Sequence, residues 1–77
     1  MKVSVLFFGR LADITGKGNI SLENVADTHD LNQQLQVLYP ELTKLNYLIA
    51  VEKEIITENR KLQDNMTIAL LPPFSGG

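Results

Sequence analysis

The sequence predicts an α+β domain: a mixed sheet of about five strands, a main helix packed across one face, and a short helix after strand one. Short runs rich in β-branched and aromatic residues recur between turn signals. One stretch, by contrast, carries leucines at helical spacing. Seventy-seven residues, 44% hydrophobic and 21% charged, have the composition of one small folded domain.

Val3-Ser4-Val5-Leu6-Phe7-Phe8 has the make-up of a strand with both faces covered. Arg10-Leu11-Ala12-Asp13-Ile14 fits one or two helical turns, stopped by Gly16 in a C-cap position. Asn19-Ile20-Ser21-Leu22-Glu23 alternates polar and apolar, as a second strand should.

The main helix follows, with Leu31, Leu35 and Leu38 forming one apolar stripe. Thr28 or Asp30 is placed to cap its start, and an acid in the first turn suits the helix dipole. Pro40 ends it, because the residue before a proline is pushed out of the α region. Leu42 and Leu45 then cover the bottom of the core. Tyr47-Leu48-Ile49-Ala50-Val51 reads as the third strand and Glu54-Ile55-Ile56-Thr57 as a short edge strand. After the turn signal Asp64-Asn65, Thr67-Ile68-Ala69-Leu70-Leu71 is the last strand. Pro72 and Pro73 stop it, since neither can donate to a ladder.

This order is that of the β-grasp, or ubiquitin-like, arrangement. Its first two strands pair as a hairpin, the long helix crosses over, and the last strand returns parallel to the first. No linker or repeat interrupts the chain, so residues 1–72 read as the β-grasp domain and 73–77 as a flexible tail.

Composition closes several functional classes. Without cysteine there is no disulfide framework, no thiolate nucleophile and no Cys-based metal site. His29 is the single histidine, and Asp13, Asp27, Asp30, Glu52 and Glu54 share no metal-ligand spacing, so no metal is expected. A net charge of −2 with scattered Lys and Arg argues against a nucleic-acid surface. No apolar run approaches the roughly 20 residues of a membrane span, and no signal-peptide pattern opens the sequence, so a cytoplasmic protein is expected. A chain this short builds a core but not a deep, closed active site, so any chemistry is shared with another chain.

The segment Pro72-Pro73-Phe74-Ser75-Gly76-Gly77 carries the strongest functional signal. Two prolines hold φ at about −65° and project the tail from the sheet with little entropy to lose on docking. Phe74 offers an aromatic anchor at the rim. Gly76 and Gly77 lack a Cβ and can pass a narrow channel, which leaves the Gly77 carboxylate at the tip of an unhindered arm. Ser75 has no His–Asp pair to activate it and reads as a small spacer. His29 reads as an exposed helix-start residue. If Val3, Val5 and Phe7 face the helix, Leu6 and Phe8 point to the open face of the sheet. Ala69 and Leu71 join them there, giving an apolar patch beside Phe74 suited to docking a partner.

Together these pieces resemble one family. Leu6-Phe7-Phe8-Gly9-Arg10 followed by Gly16, Leu38-Tyr39-Pro40-Glu41-Leu42, Ile49-Ala50-Val51 and the Pro72-to-Gly77 ending are similar, in order and spacing, to the small subunit of molybdopterin synthase (the MoaD family). The resemblance spans almost the whole chain, and its most specific piece is the ending. The short helix after the first strand marks that family rather than ubiquitin. The sequence departs from the pattern at Glu52, where asparagine is usual. It departs again at Asp64-Asn65-Met66-Thr67, where an Asp-Gly-Asp-Glu-like turn is usual. Asn65 tolerates the left-handed conformation of a turn glycine.

The resemblance implies a sulfur carrier that binds no cofactor and is not an enzyme on its own. An E1-like adenylating enzyme would use ATP to convert the Gly77 carboxylate to an acyl-adenylate. Sulfur from a persulfide donor protein would displace AMP and leave a thiocarboxylate. The arm of Pro73, Phe74, Ser75, Gly76 and Gly77 would enter the active site of the large synthase subunit. There two sulfur transfers turn a cyclic pyranopterin precursor into the dithiolene of molybdopterin. A thiocarboxylate carrier needs no side-chain thiol, which fits the absence of cysteine. Two readings stand beside this one: a carrier for thiazole formation or tRNA thiolation, and a ubiquitin-like modifier whose tail forms an amide with lysine. Thiazole carriers tend to be shorter and to lack the inserted helix and the Pro-Pro ending.

Overall fold

Residue order in the computed structural model, which describes residues 2–73, is β1 (Lys2–Phe7), α1 (Arg10–Thr15), β2 (Asn19–Glu23), α2 (Thr28–Leu38), a 3-10 helix (Pro40–Lys44), β3 (Leu48–Val51), β4 (Glu54–Ile56) and β5 (Thr67–Leu71). The strands form one mixed sheet in the order β2-β1-β5-β3-β4. β1 lies antiparallel to β2 and parallel to β5, while β3 is antiparallel to both β5 and β4. This is the β-grasp topology that the element order predicts, with β4 at an edge as expected.

The core lies between the sheet and α2. Val3, Val5 and Phe7 alternate inward from β1, and Ile68 and Leu70 do the same from β5. Leu31 and Leu35 of α2, Leu11 of α1 and Leu42 of the 3-10 helix close over them, with Val25 and Leu62 contributed by connecting segments. Each such burial stabilises by roughly 1.5–3 kcal/mol. α1 ends as predicted, with Gly16 at φ 74 and its N–H donating to the Ala12 carbonyl at 2.9 Å.

Several local expectations are corrected. β1 is covered on one face only and stops at Phe7. Gly9, at φ 57 and ψ −131, turns the chain off the sheet, leaving Phe8 44% exposed. The cap of α2 is Asp27 rather than Thr28 or Asp30. Its carboxylate accepts the Asp30 N–H at 2.8 Å and the Asn59 side-chain amide at 3.2 Å. Thr28 is instead buried, where it accepts the Arg60 N–H and donates to Asn59. Asp30 reaches back to the Ala26 N–H. Leu38 is 54% exposed, because α2 ends there and Tyr39 packs inward instead, edge-on to Phe7 with ring centroids 5.9 Å apart. Pro40 ends α2 as expected but opens the 3-10 helix, and Tyr47 and Thr57 fall just outside β3 and β4.

Candidate functional site

β5 is the middle strand of the sheet and the one that leads into Pro72 and Pro73. Its inward residues, Ile68 and Leu70, belong to the core, so Thr67, Ala69 and Leu71 take the open face and are half-buried. Register then decides what surrounds them. Leu6 lies beside Ala69, Ala69 beside Ala50, and Ala50 beside Ile55. Residues directly across a ladder share a face. Leu6, Ala69, Ala50 and Ile55 therefore make one apolar row across β1, β5, β3 and β4, in which Ala50 is buried between its neighbours and the other three reach the surface. Leu71 pairs with Leu48 in the next row toward the arm. On the other side of this row Ser4 meets Thr67 and Ser21, so the face turns polar away from the arm.

Of the predicted docking residues, Leu6, Ala69 and Leu71 are brought together. Phe8 sits one residue past β1, exposed, with its N–H donating to the Leu70 carbonyl at 3.1 Å, which keeps it against β5. Pro73 is exposed at the root of the arm. Phe74, Ser75, Gly76 and Gly77, expected from the sequence to carry the reagent and its insertion, lie outside the described residues. Sequence reasoning missed Leu48, Ala50 and Ile55. The uniformly apolar run of β3 was the available signal, since such a strand must present a side chain to each face.

The root of the arm has its own geometry. A Cβ built on Gly9 would stand 3.2 Å from Pro72 Cγ, so the turn after β1 and the first arm proline are in close contact. A cleft beside this contact is lined by Arg10, Leu11, Lys44, Leu45, Pro72 and Pro73. Two cations thus flank the arm root in a chain whose net charge is −2. Such a placement favours an anionic group or an acidic partner surface there. His29 is exposed at the start of α2, where its N–H donates to Asn59 Oδ1 at 2.8 Å. Among the described residues no group of three or more His, Asp or Glu could hold a metal ion. No helix among them is long and apolar enough to cross a membrane.

An apolar sheet face feeding a proline-stiffened diglycine segment, on a β-grasp scaffold, is the build of a ubiquitin-like carrier domain. A family model described as the ThiS family matches residues 5–77, and the chain belongs to that family. The molybdopterin synthase sulfur carrier subunit of Caenorhabditis briggsae is 32% identical over 83 residues, covering 100% of this chain and 99% of the relative. Among solved structures, the protein–protein complex of subunits 1 and 2 of the molybdopterin-converting factor from Helicobacter pylori matches at 31% identity and a TM-score of 0.76, over 100% of both chains. Small archaeal modifier protein 1 from Methanosarcina acetivorans shares the fold, with a TM-score of 0.83 at 24% identity over 99% of this chain and 96% of that one.

Proposed function

We propose that this chain is the sulfur-carrier small subunit of a molybdopterin synthase and carries its sulfur on Gly77. The observation that carries the reading is the meeting of two features on one strand. β5 gives Ala69 and Leu71 to the apolar face and runs directly into Pro72 and Pro73. A partner seated on that face is thereby positioned to receive the arm. The full-length likeness to sulfur carrier subunits, with a family match that extends to Gly77, supports the same reading.

The chemistry falls on partners. An adenylating enzyme spends ATP to link AMP to the Gly77 carboxyl, with pyrophosphate leaving. A persulfide sulfur attacks that carbonyl and AMP departs; a donor thiol then cleaves the acyl disulfide and leaves the thiocarboxylate. The large subunit supplies the acid–base groups that move this sulfur to the pyranopterin precursor, and water restores the carboxylate. The chain itself binds no cofactor and works in the cytoplasm beside these enzymes. Its own contributions are the docking row, the stiff root and the cations Arg10 and Lys44, which favour anionic groups near the arm.

Intact mass tests the reading. Incubation with an adenylating enzyme, ATP and a persulfide donor should replace one oxygen by sulfur at the C-terminus. Addition of the large subunit and pyranopterin substrate should reverse the change. An unaltered mass while the adenylating enzyme turns over ATP on a control carrier overturns the proposal.

A further inference from the structure

We infer that the outer edge of β2, with the groove between it and α2, is a second docking site, and that it takes an extended basic segment of another protein as an added strand. β2 ends the sheet on one side. The Phe7 N–H reaches the Gly18 carbonyl at 2.9 Å, while the Ser4 N–H turns the other way to the Met66 carbonyl at 3.0 Å. Backbone groups alternate sides along an antiparallel ladder, so Val3 and Val5 bond toward Leu22 and Ile20. Asn19, Ser21 and Glu23 therefore direct their N–H and C=O groups outward. The sheet's other edge is blunted, since β4 has three residues and its Glu54 is tied to Arg60 at 2.6 Å. β2 has five residues and neither proline nor lysine.

What lies beside that edge fits a strand's side chains. Leu22 from β2 and Val37 and Leu38 from the last turn of α2 line the groove, with Val37 80% exposed. Leu22 is itself buried, so the exposed apolar surface there is Val37 and Leu38, side by side along an unpaired strand edge that a partner's side chains can cover. From Asp30 to Leu38 the helix rises about 12 Å. That matches three or four residues of extended chain at about 3.3 Å each. The charged side chains in the lining are Glu23 and Asp30, both acidic. The β2 edge of a second copy carries Glu23 and no cation to meet them, so the occupant is a different chain with alternating apolar residues flanked by Lys or Arg. β1 separates this edge from β5, so the site can be filled while the arm is engaged.

The test is a titration of the nitrogen-15-labelled full chain with an acetylated Lys-Lys-Val-Ile-Val-Ile-Lys amide. Saturable shifts should appear at the amides of Ser21, Glu23, Val37 and Leu38, and the Ser21 amide should gain protection from exchange. Val37→Ser, at an exposed position, should keep the rest of the free protein's spectrum unchanged and weaken the peptide by about three-fold or more; unaltered affinity would take the groove out of the site. An aspartate-flanked version of the peptide should bind about ten-fold more weakly or worse. Absent shifts at millimolar peptide, shifts confined to the Leu6 and Ala69 row, or equal binding of the acidic peptide overturn the inference. So does a concentration-dependent dimer that protects Ser21 without peptide, which would give the groove to a second copy.

Discussion

Pro72 occupies the space into which a side chain on Gly9 would grow, with 3.2 Å between its Cγ and the position of an added Cβ. Gly9 also stands at φ 57 and ψ −131, a combination that costs any L-residue strain. The residue that turns the chain out of β1 thus also sets where the arm begins. Gly9→Ala should lower stability by about 1–3 kcal/mol. The same change should push Pro72 away and weaken capture of the arm by the large subunit. A urea midpoint equal to that of the parent would show that the backbone relaxes freely there.

The β3–β4 connection carries a related strain. Glu52 and Lys53 join Val51 to Glu54 in a two-residue turn, both at positive φ, 49 and 73. Asn-Gly is the pair such turns favour. Asparagine is also what the family places at the first of these positions, so the departure at Glu52 has a physical cost rather than a visible function. Glu52→Asn combined with Lys53→Gly should stabilise the domain by on the order of 1 kcal/mol. Thermal denaturation would read this as a higher Tm with an unchanged fold.

At the start of α2, the Asp30 N–H and then the Asn59 amide hold the Asp27 carboxyl below the usual carboxylate range, with a smaller contribution from His29. A depressed folded-state value stabilises the native form above the unfolded pKa, and that gain is lost as pH falls through the folded value. Stability should therefore drop below about pH 4. Asp27→Asn keeps a cap but cannot titrate, so its Tm should fall less across the same acid range. Parallel acid profiles for the two proteins would remove Asp27 from this role.

Much of the fold was legible because its signals are local. The bounds of β2 follow from alternation and those of β5 from the Asp64-Asn65 turn and the Pro72-Pro73 stop, while Gly16 and Pro40 announce the helix ends. The features that were misread depend on distant partners. Asp27, Thr28 and Asp30 are all competent caps, and Asn59, from beyond β4, decides between them by bonding Asp27 and Thr28. Leu38 matches the helical stripe, yet Tyr39 closes the core where the helix ends. The docking face was half-read for the same reason. Alternation placed Leu6 and Ala69, but only the β5–β3–β4 register puts Ala50 and Ile55 beside them.

That register gives the row a measurable extent. Leu6 and Ile55 are its two ends, and Ile55 is 53% exposed on an edge strand. If a partner covers the whole row, Leu6→Glu and Ile55→Glu should each weaken its binding by about 1–3 kcal/mol, as burying an unpaired charge does. A loss confined to Leu6→Glu would limit the contact to the β1–β5 half. Circular dichroism should remain that of the parent for the Ile55 variant, since its side chain is outside the core.

The arm makes the sharpest demand. Under the proposed function, a carbonyl that is adenylated and later inserted tolerates neither a shortened nor a lengthened tip. Deleting Gly77, or adding one residue after it, should abolish sulfur loading while leaving thermal stability at the parental value. Phe74→Ala acts differently, because the aromatic ring would anchor the arm without joining the reaction. It should weaken association with the large subunit by about 1–3 kcal/mol yet leave loading by the adenylating enzyme detectable. Titration calorimetry with the loaded carrier separates the two effects. Unchanged affinity on removal of the ring would shift the anchoring role to the sheet face, leaving Leu6, Ala69 and Leu71 to hold the partner on their own.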